Sequence, residues 1–404
     1  MNPRDRIVAA LNFRPTDRIP RDLGGMRSTG ISAFSYPKLV SALGLPPRPP
    51  RVHDTGQMLA LPDLDVLDAL GCDVVTVEWG VTNAFDQPEL WHPYGFNGRL
   101  AATVRNPADY AVLPDGTIVN GGGRMPPASF VFDSEHAGQP MPDFDAPLPL
   151  IDLKEFARNA VSHVPTDGAI REARDFYRRV RESTGRAVFS TDYFGTGIGI
   201  GGYAGLAIFP MICVEEPEFV KEYHEICTRR ALRNVAAFLP AVRESVDIVM
   251  TGCDDWGTQN TTIASPKVYR ELFMPFYRRV NAEVHRIAPG VKTFLHCCGA
   301  VYDILDSLVE SGFDIINPVQ WPAGGHSYKE WKDAVRGRAT LWGGGVDSQH
   351  TLARGTLADV EREAREVCAY MKAGGGFVFC NIHNLLAEVP ADRILAMYRA
   401  AGAS

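Results

Sequence analysis

Eight times between residues 19 and 380 the sequence passes through a short β-prone run, and nearly every run is followed by a helix-period segment. This alternation limits the folds open to the chain more than any single motif does. The runs fall at 19–23, 73–78, 187–193, 246–251, 291–296, 314–319, 340–342 and 377–380. Helical patterns follow at 167–184, 216–242, 266–285, 301–311, 328–335, 357–372 and 391–400, and an opening helix with Ile7, Val8, Ala10 and Leu11 is capped by Asn2 or Asp5. Strands that alternate with helices pair in parallel through right-handed crossovers. The count predicts an α/β fold, a (β/α)8 TIM barrel, as a single domain over 1–404. An open doubly wound sheet is the competing topology, and the lack of a GxGxxG after the first strand weighs against it. Residues 84–150 are rich in Pro, Gly and Asp and read as an inserted elaboration of loops and small antiparallel strands.

Composition removes several classes of function. A net charge of −7, with no basic run interleaved with aromatics, argues against a nucleic-acid binder. The opening MNPRDRIVAALNFRPTDRIP sets charges on both sides of a very short apolar stretch and is expected to be neither a signal peptide nor a membrane span. Apolar runs elsewhere are strand-sized, so a soluble cytoplasmic protein is expected. Eight cysteines scattered over 404 residues do not form a disulfide framework and are core residues, ligands or nucleophiles.

Polar residues gather at the C-terminal ends of the expected strands, which share one face in a barrel. The run VKTFLHCCG ends in His296, Cys297, Cys298 and Gly299. His296 and Cys298 are two apart, so on extended backbone both project to one side and suit a single soft metal ion, with Cys297 facing away. Cys380 in FVFCNIHN, or His383 three residues on, could complete the shell; all four together would close it. The bland alternative is two buried thiols and a satisfied core histidine. Glu78, Asp254 and Asp255 are the candidate catalytic acids, and Cys253 ends the same strand as the aspartate pair. Asp192, Tyr193, Trp256, Gln259, Asn317, Gln320, Asp347 and His383 are the candidate substrate contacts. Gly343–Gly345 lacks the lysine and hydroxyl of a Walker motif.

Taken together, RIVAALNFRPTDRIP, DDWGTQ at 254–259, FLHCCG at 294–299, DSLVESGFDIINPVQ, WGGGVDSQ at 342–349 and FVFCNIHNLLAEVP at 377–390 resemble the uroporphyrinogen decarboxylase superfamily. Within it, the chain looks closest to the zinc- and cobalamin-dependent methyltransferases. The resemblance implies a (β/α)8 barrel in which a His-x-Cys pair and a distant Cys hold zinc, matching His296, Cys298 and Cys380, with His383 as an alternative ligand or substrate contact. It implies methyl transfer between a methylcorrinoid and a thiol or other small soft nucleophile, or from a small O- or N-methyl donor to the corrinoid. No DxHxxG sequence occurs here, so the corrinoid is expected on a separate partner protein. A metal-independent decarboxylase is the second expectation. It would need arginines at the mouth, whereas LGGMRSTG offers only Arg27, and Glu78 stands where that branch suggests aspartate. The third is a non-enzymatic barrel with a structural zinc. A homodimer is the base-rate expectation for oligomeric state.

Overall fold

The computed structural model describes residues 1–134, 142–161 and 164–403. The strands Val74–Glu78, Ala187–Ser190, Ile248–Cys253, Lys292–His296, Ile315–Asn317, Thr340–Trp342 and Phe377–Val378 lie side by side in chain order, each parallel to the next. Residues 20–22 supply the eighth staves of the barrel as a bare bridge. Arg21 pairs in parallel with Phe379, Asp22 N donates to Phe379 O at 2.9 Å, and Asp73 N donates to Arg21 O at 2.8 Å. All eight expected runs are therefore strand positions, and they curl into a TIM-barrel-like α/β fold.

Strand sequence decides what fills the interior. Phe189, Ile248, Phe294, Ile315, Trp342, Val378 and Cys380 pack against one another in one buried cluster, which also takes in Ile7 and Leu11 of the helix Pro3–Leu11. That helix, capped by the Asn2 side chain on Asp5 N, plugs the N-terminal end. Arg6 of this helix and Arg18 beyond it pair with the fully buried Asp73 at 2.6 and 2.8 Å. The opposite end, where strands finish, is left as the mouth.

The helix expected over 266–285 is two helices, Pro266–Leu272 and Met274–Ile287, separated at Phe273. Pro275, at the start of the second, has no N–H to continue the first. The patterns at 216–242, 328–335 and 357–372 appear as Pro217–Val242, Tyr328–Val335 and Leu357–Met371. Two helices, Leu153–Val161 and Gly205–Glu215, were not legible in the pattern. The second is apolar on all sides, so it has no period to detect. Within 84–150 the chain forms the hairpin His92–Tyr94 with Ala102–Val104 and the antiparallel meander Tyr110–Val112, Ile118–Asn120, Gly123–Met125. Among the described residues no helix is long and apolar enough to cross a membrane.

Candidate metal centre at the barrel mouth

Strand alternation builds the site. Phe294 points into the packed interior, so His296, two residues on, points the same way one layer nearer the mouth. The register pairs His296 with Asn317 on one side and with Cys253 on the other, after a shift between Met250 and Gly252. His296 Nδ1 lies 2.7 Å from Asn317 Oδ1. Asn317 Nδ2 donates to Trp342 O at 2.9 Å, so the amide oxygen is the end that faces the ring. Nδ1 therefore carries the proton, and Nε2 presents its lone pair to the mouth.

His296, Cys298 and His383 place their ligand atoms within 4.8 Å of one another. His383 reaches the group from the loop after Phe377–Val378, at φ 58. This left-handed conformation costs a non-glycine residue about 1–3 kcal/mol and persists where the surroundings enforce it. Burial, and then the nearby His296, push the His383 pKa down to about 4, so the ring is neutral and a lone-pair donor at pH 7. Asn384 N donates to His383 Nδ1 at 2.9 Å, a contact that must relax if the ring is to bind a cation through Nε2. The Cys298 thiol is pushed up by burial and by Asp255, so only a cation nearby would ionise it. Asp255 Oδ1 sits 3.4 Å from His296 Nε2 and accepts from Cys298 N at 3.3 Å. Burial opposes its ionisation, but His296 when it is cationic, and then the Cys298 thiol and N–H, outweigh this and hold its pKa below the ordinary value.

Cys380, expected as the third ligand, does not belong to this group. It is fully buried in the interior cluster with Trp342 and Val378, and its Sγ donates to Asn381 O at 3.3 Å. Being two residues past the inward-facing Val378, it fills the packed layer, while the loop beyond returns His383 to the mouth.

The aspartate pair divides. Asp254 is buried and accepts from Ile200 N at 2.5 Å, Trp256 Nε1 at 2.6 Å and Tyr277 Oη at 3.2 Å. It pins the loop that carries Ile200, between Ala187–Ser190 and Gly205–Glu215, to the strand end, and burial raises its pKa to about 7. Trp256 has no exposed surface and packs on Tyr269 and Phe273, a core position. Asp347 accepts from the N–H groups of Gln349 and His350 and from the His350 ring, which shapes the turn before Thr351–Arg354. Gln320 Oε1 accepts from Gly299 N at 2.9 Å, tying it to the metal-site loop, and Gln259 pairs with Gln349 on the surface.

Across the mouth, Glu78 is held by Arg27 at 2.8 Å and His53 at 2.8 Å, and Arg27 also reaches Asp54 at 3.0 Å. Burial alone would raise the Glu78 pKa, but His53 and Arg27 bring it down to about 2. His53 and Asp54 left no sequence signal, since they sit on a three-residue strand, Val52–Asp54. Asp192 accepts from Trp79 N at 2.6 Å and Tyr177 Oη at 2.9 Å, and Tyr193 packs edge-on against Trp79 at 4.8 Å. Cys253, paired in register with His296, has its thiol pushed up to about 12 by burial and then by Asp255 and Asp254.

A solved methyltransferase from Methanosarcina mazei shares the fold over 99% of this chain and 98% of its own, with TM-score 0.53 and 16% identity. Xylanase XynB from Paenibacillus barcinonensis aligns over 58% of this chain and 82% of its own, with TM-score 0.33 and 9% identity. An endo-beta-1,4-xylanase from Gloeophyllum trabeum aligns over 59% and 81%, with TM-score 0.34 and 8% identity. No curated protein matches the sequence. Residues 200–403, which carry His296, Cys298, Asp255, Asn317 and His383, match the family described as Uroporphyrinogen decarboxylase (URO-D). The chain belongs to the uroporphyrinogen decarboxylase (URO-D) family.

Proposed function

We propose that this chain is a zinc-dependent methyltransferase, moving a methyl group between a corrinoid carried by a separate protein and a small substrate at the barrel mouth. The observation that carries this reading is the convergence of His296, Cys298 and His383 within 4.8 Å. Two imidazoles and one thiol form a donor set suited to zinc, and a fourth position would remain for substrate. The M. mazei methyltransferase has this fold, so the reaction class is one such a barrel can host.

Zinc bound there would supply Lewis acidity, lowering the pKa of a substrate thiol or polarising the oxygen or nitrogen of a methyl donor. One thiolate against two neutral imidazoles leaves such a centre with net positive charge, which strengthens that effect. Asn317 holds His296 in the ligating tautomer. Asp255, ionised and beside His296 Nε2, can take the proton of an incoming thiol or return one to a departing alkoxide. In either direction the methyl leaves as a cation equivalent, and both electrons of the broken bond stay with the group it leaves. Arg27 is already matched by Glu78 and Asp54, so its charge is not free to hold the carboxylates of a tetrapyrrole.

The test is an assay of zinc-loaded protein with methylcobalamin and a panel of small thiols, followed by absorbance, together with the reverse reaction using methyl ethers and reduced cobalamin. Transfer that disappears in C298A and H383A supports the proposal. Metal-free protein that decarboxylates uroporphyrinogen and moves no methyl group overturns it.

A further inference from the structure

A cavity of about 290 Å³, sharing no residue with the metal centre, lies where the strands Val74–Glu78 and Ala187–Ser190 end against the helix Asp167–Ser183. Trp79, Phe176, Tyr177, Tyr193 and Phe238 line it. Neighbouring rings are turned by 72° between Trp79 and Tyr193, 50° between Tyr193 and Phe238, 80° between Phe238 and Tyr177 and 79° between Tyr177 and Phe176. They stand as the sides of a box and not as a stack.

The residue of this box that the fold does not explain is Trp79. With Gly80 it makes the two-residue turn that returns Val74–Glu78 to the antiparallel strand Val81–Thr82, at φ 48 and 78. A hairpin turn with both central φ positive favours Asn followed by Gly, so a tryptophan in the first place is strained. Burial does not hold it there, since Trp79 stays 54% exposed. Tyr193, which meets it edge-on at 4.8 Å, is strained as well, at φ 53. Two strained aromatics in contact at one cavity mark a site under functional constraint.

The charge around the box is negative. Asp192 lines it at 4% exposure, with its oxygens accepting from Trp79 N at 2.6 Å and Tyr177 Oη at 2.9 Å. It makes no ion pair among the described residues, although buried carboxylates are as a rule paired with a cation. Glu172, exposed at the rim, makes none either. No lysine or arginine lines the cavity. Phe85, beside Phe176, carries Arg179 over its ring at 4.1 Å, whereas among the described residues none of the five rings of the box carries a cation.

We infer that this cavity binds the quaternary ammonium head of a small molecule. Such a cation makes no N–H hydrogen bond, so it asks none of Asp192, whose oxygens are already engaged. It needs aromatic walls around it and negative charge behind them, and both are present. A primary ammonium brings N–H donors that ring faces and an engaged carboxylate serve poorly. Anions are repelled by Asp192 and Glu172. This inference does not depend on the metal chemistry.

Isothermal titration of the full chain at pH 8 and constant ionic strength, with choline, its uncharged carbon isostere 3,3-dimethyl-1-butanol, and methylammonium, tests it. Saturable binding of choline is expected, with the isostere and methylammonium each weaker by at least about tenfold. Trp79→Asn places the residue favoured by the turn, so it should fold as well as wild type and lose the choline site. Asp192→Asn should weaken choline by about tenfold while leaving the isostere unchanged. Absence of choline saturation below about 10 mM in wild type overturns the proposal. So does equal binding of the isostere, tighter binding of methylammonium, or an unchanged choline affinity in folded Trp79→Asn or Asp192→Asn. Should the variants fail to fold, the comparison of the three probes on wild type decides alone.

Discussion

Asn317 accepts from His296 Nδ1 at 2.7 Å while its own amide nitrogen donates to Trp342 O at 2.9 Å. A residue on the neighbouring strand thereby fixes which ring nitrogen of His296 faces the mouth. Asn317→Ala is expected to weaken zinc affinity by about 10–100-fold, the usual cost of losing such an outer hydrogen bond. Chelator competition measures it. A variant that loses thermal stability but keeps wild-type zinc affinity would assign Asn317 to packing instead.

The loop bearing Cys298 is held by backbone against backbone. Gly257 N donates to Cys298 O at 3.0 Å, and a Cβ on Gly299, at φ +85, would fall 2.2 Å from Gly257 O. Gly299→Ala is expected to cost about 2 kcal/mol or more in urea unfolding and to lower zinc occupancy as Cys298 is displaced. Gly44 has a similar φ of +72 with nothing near its Cβ position, so Gly44→Ala serves as the control. It should cost about 1 kcal/mol and leave zinc untouched.

Burial raises the Asp192 pKa to about 6, from an ordinary value of 3.8. The folded state therefore holds this proton more tightly than the unfolded chain does. Stability conferred at low pH is lost as pH rises from about 4 to about 6, and the loss persists above that window. A hundredfold difference in proton affinity corresponds to about 3 kcal/mol. In Asp192→Asn the amide oxygen can still accept from Trp79 N, and its nitrogen can donate to the Tyr177 hydroxyl. We expect the variant to gain on wild type by about 1–3 kcal/mol across that window, read as the difference between paired urea titrations. A difference that stays constant with pH would contradict the buried, uncompensated carboxylate.

The barrel was legible because its strands are short apolar runs bounded by turn residues, and even 19–23, reduced to a bridge at Arg21, carries that pattern. His296 and Cys298 were legible for the same reason, since a period of two on a strand puts both on one side. Cys380 misled. On its strand it has the parity of an inward residue, but parity does not say at which depth the packed interior ends and the mouth begins. Asp254 and Asp255 could not be separated by sequence, because the bulge between Met250 and Gly252 resets the register just before them. Trp256, expected as a substrate contact, is core, because its indole N–H finds Asp254 inside the protein. The partners of Glu78 lie more than twenty positions away in chain order, on segments with no pattern of their own.

The most direct test of the account is zinc content per chain, by elemental analysis of protein purified without a metal-affinity tag, in wild type, C298A, H383A and C380A. The geometry of His296, Cys298 and His383 predicts about one zinc per chain in wild type and C380A and little in C298A and H383A. Zinc retained by H383A and lost from C380A would contradict it, and would mean that the interior cysteine, rather than the loop histidine, completes the centre.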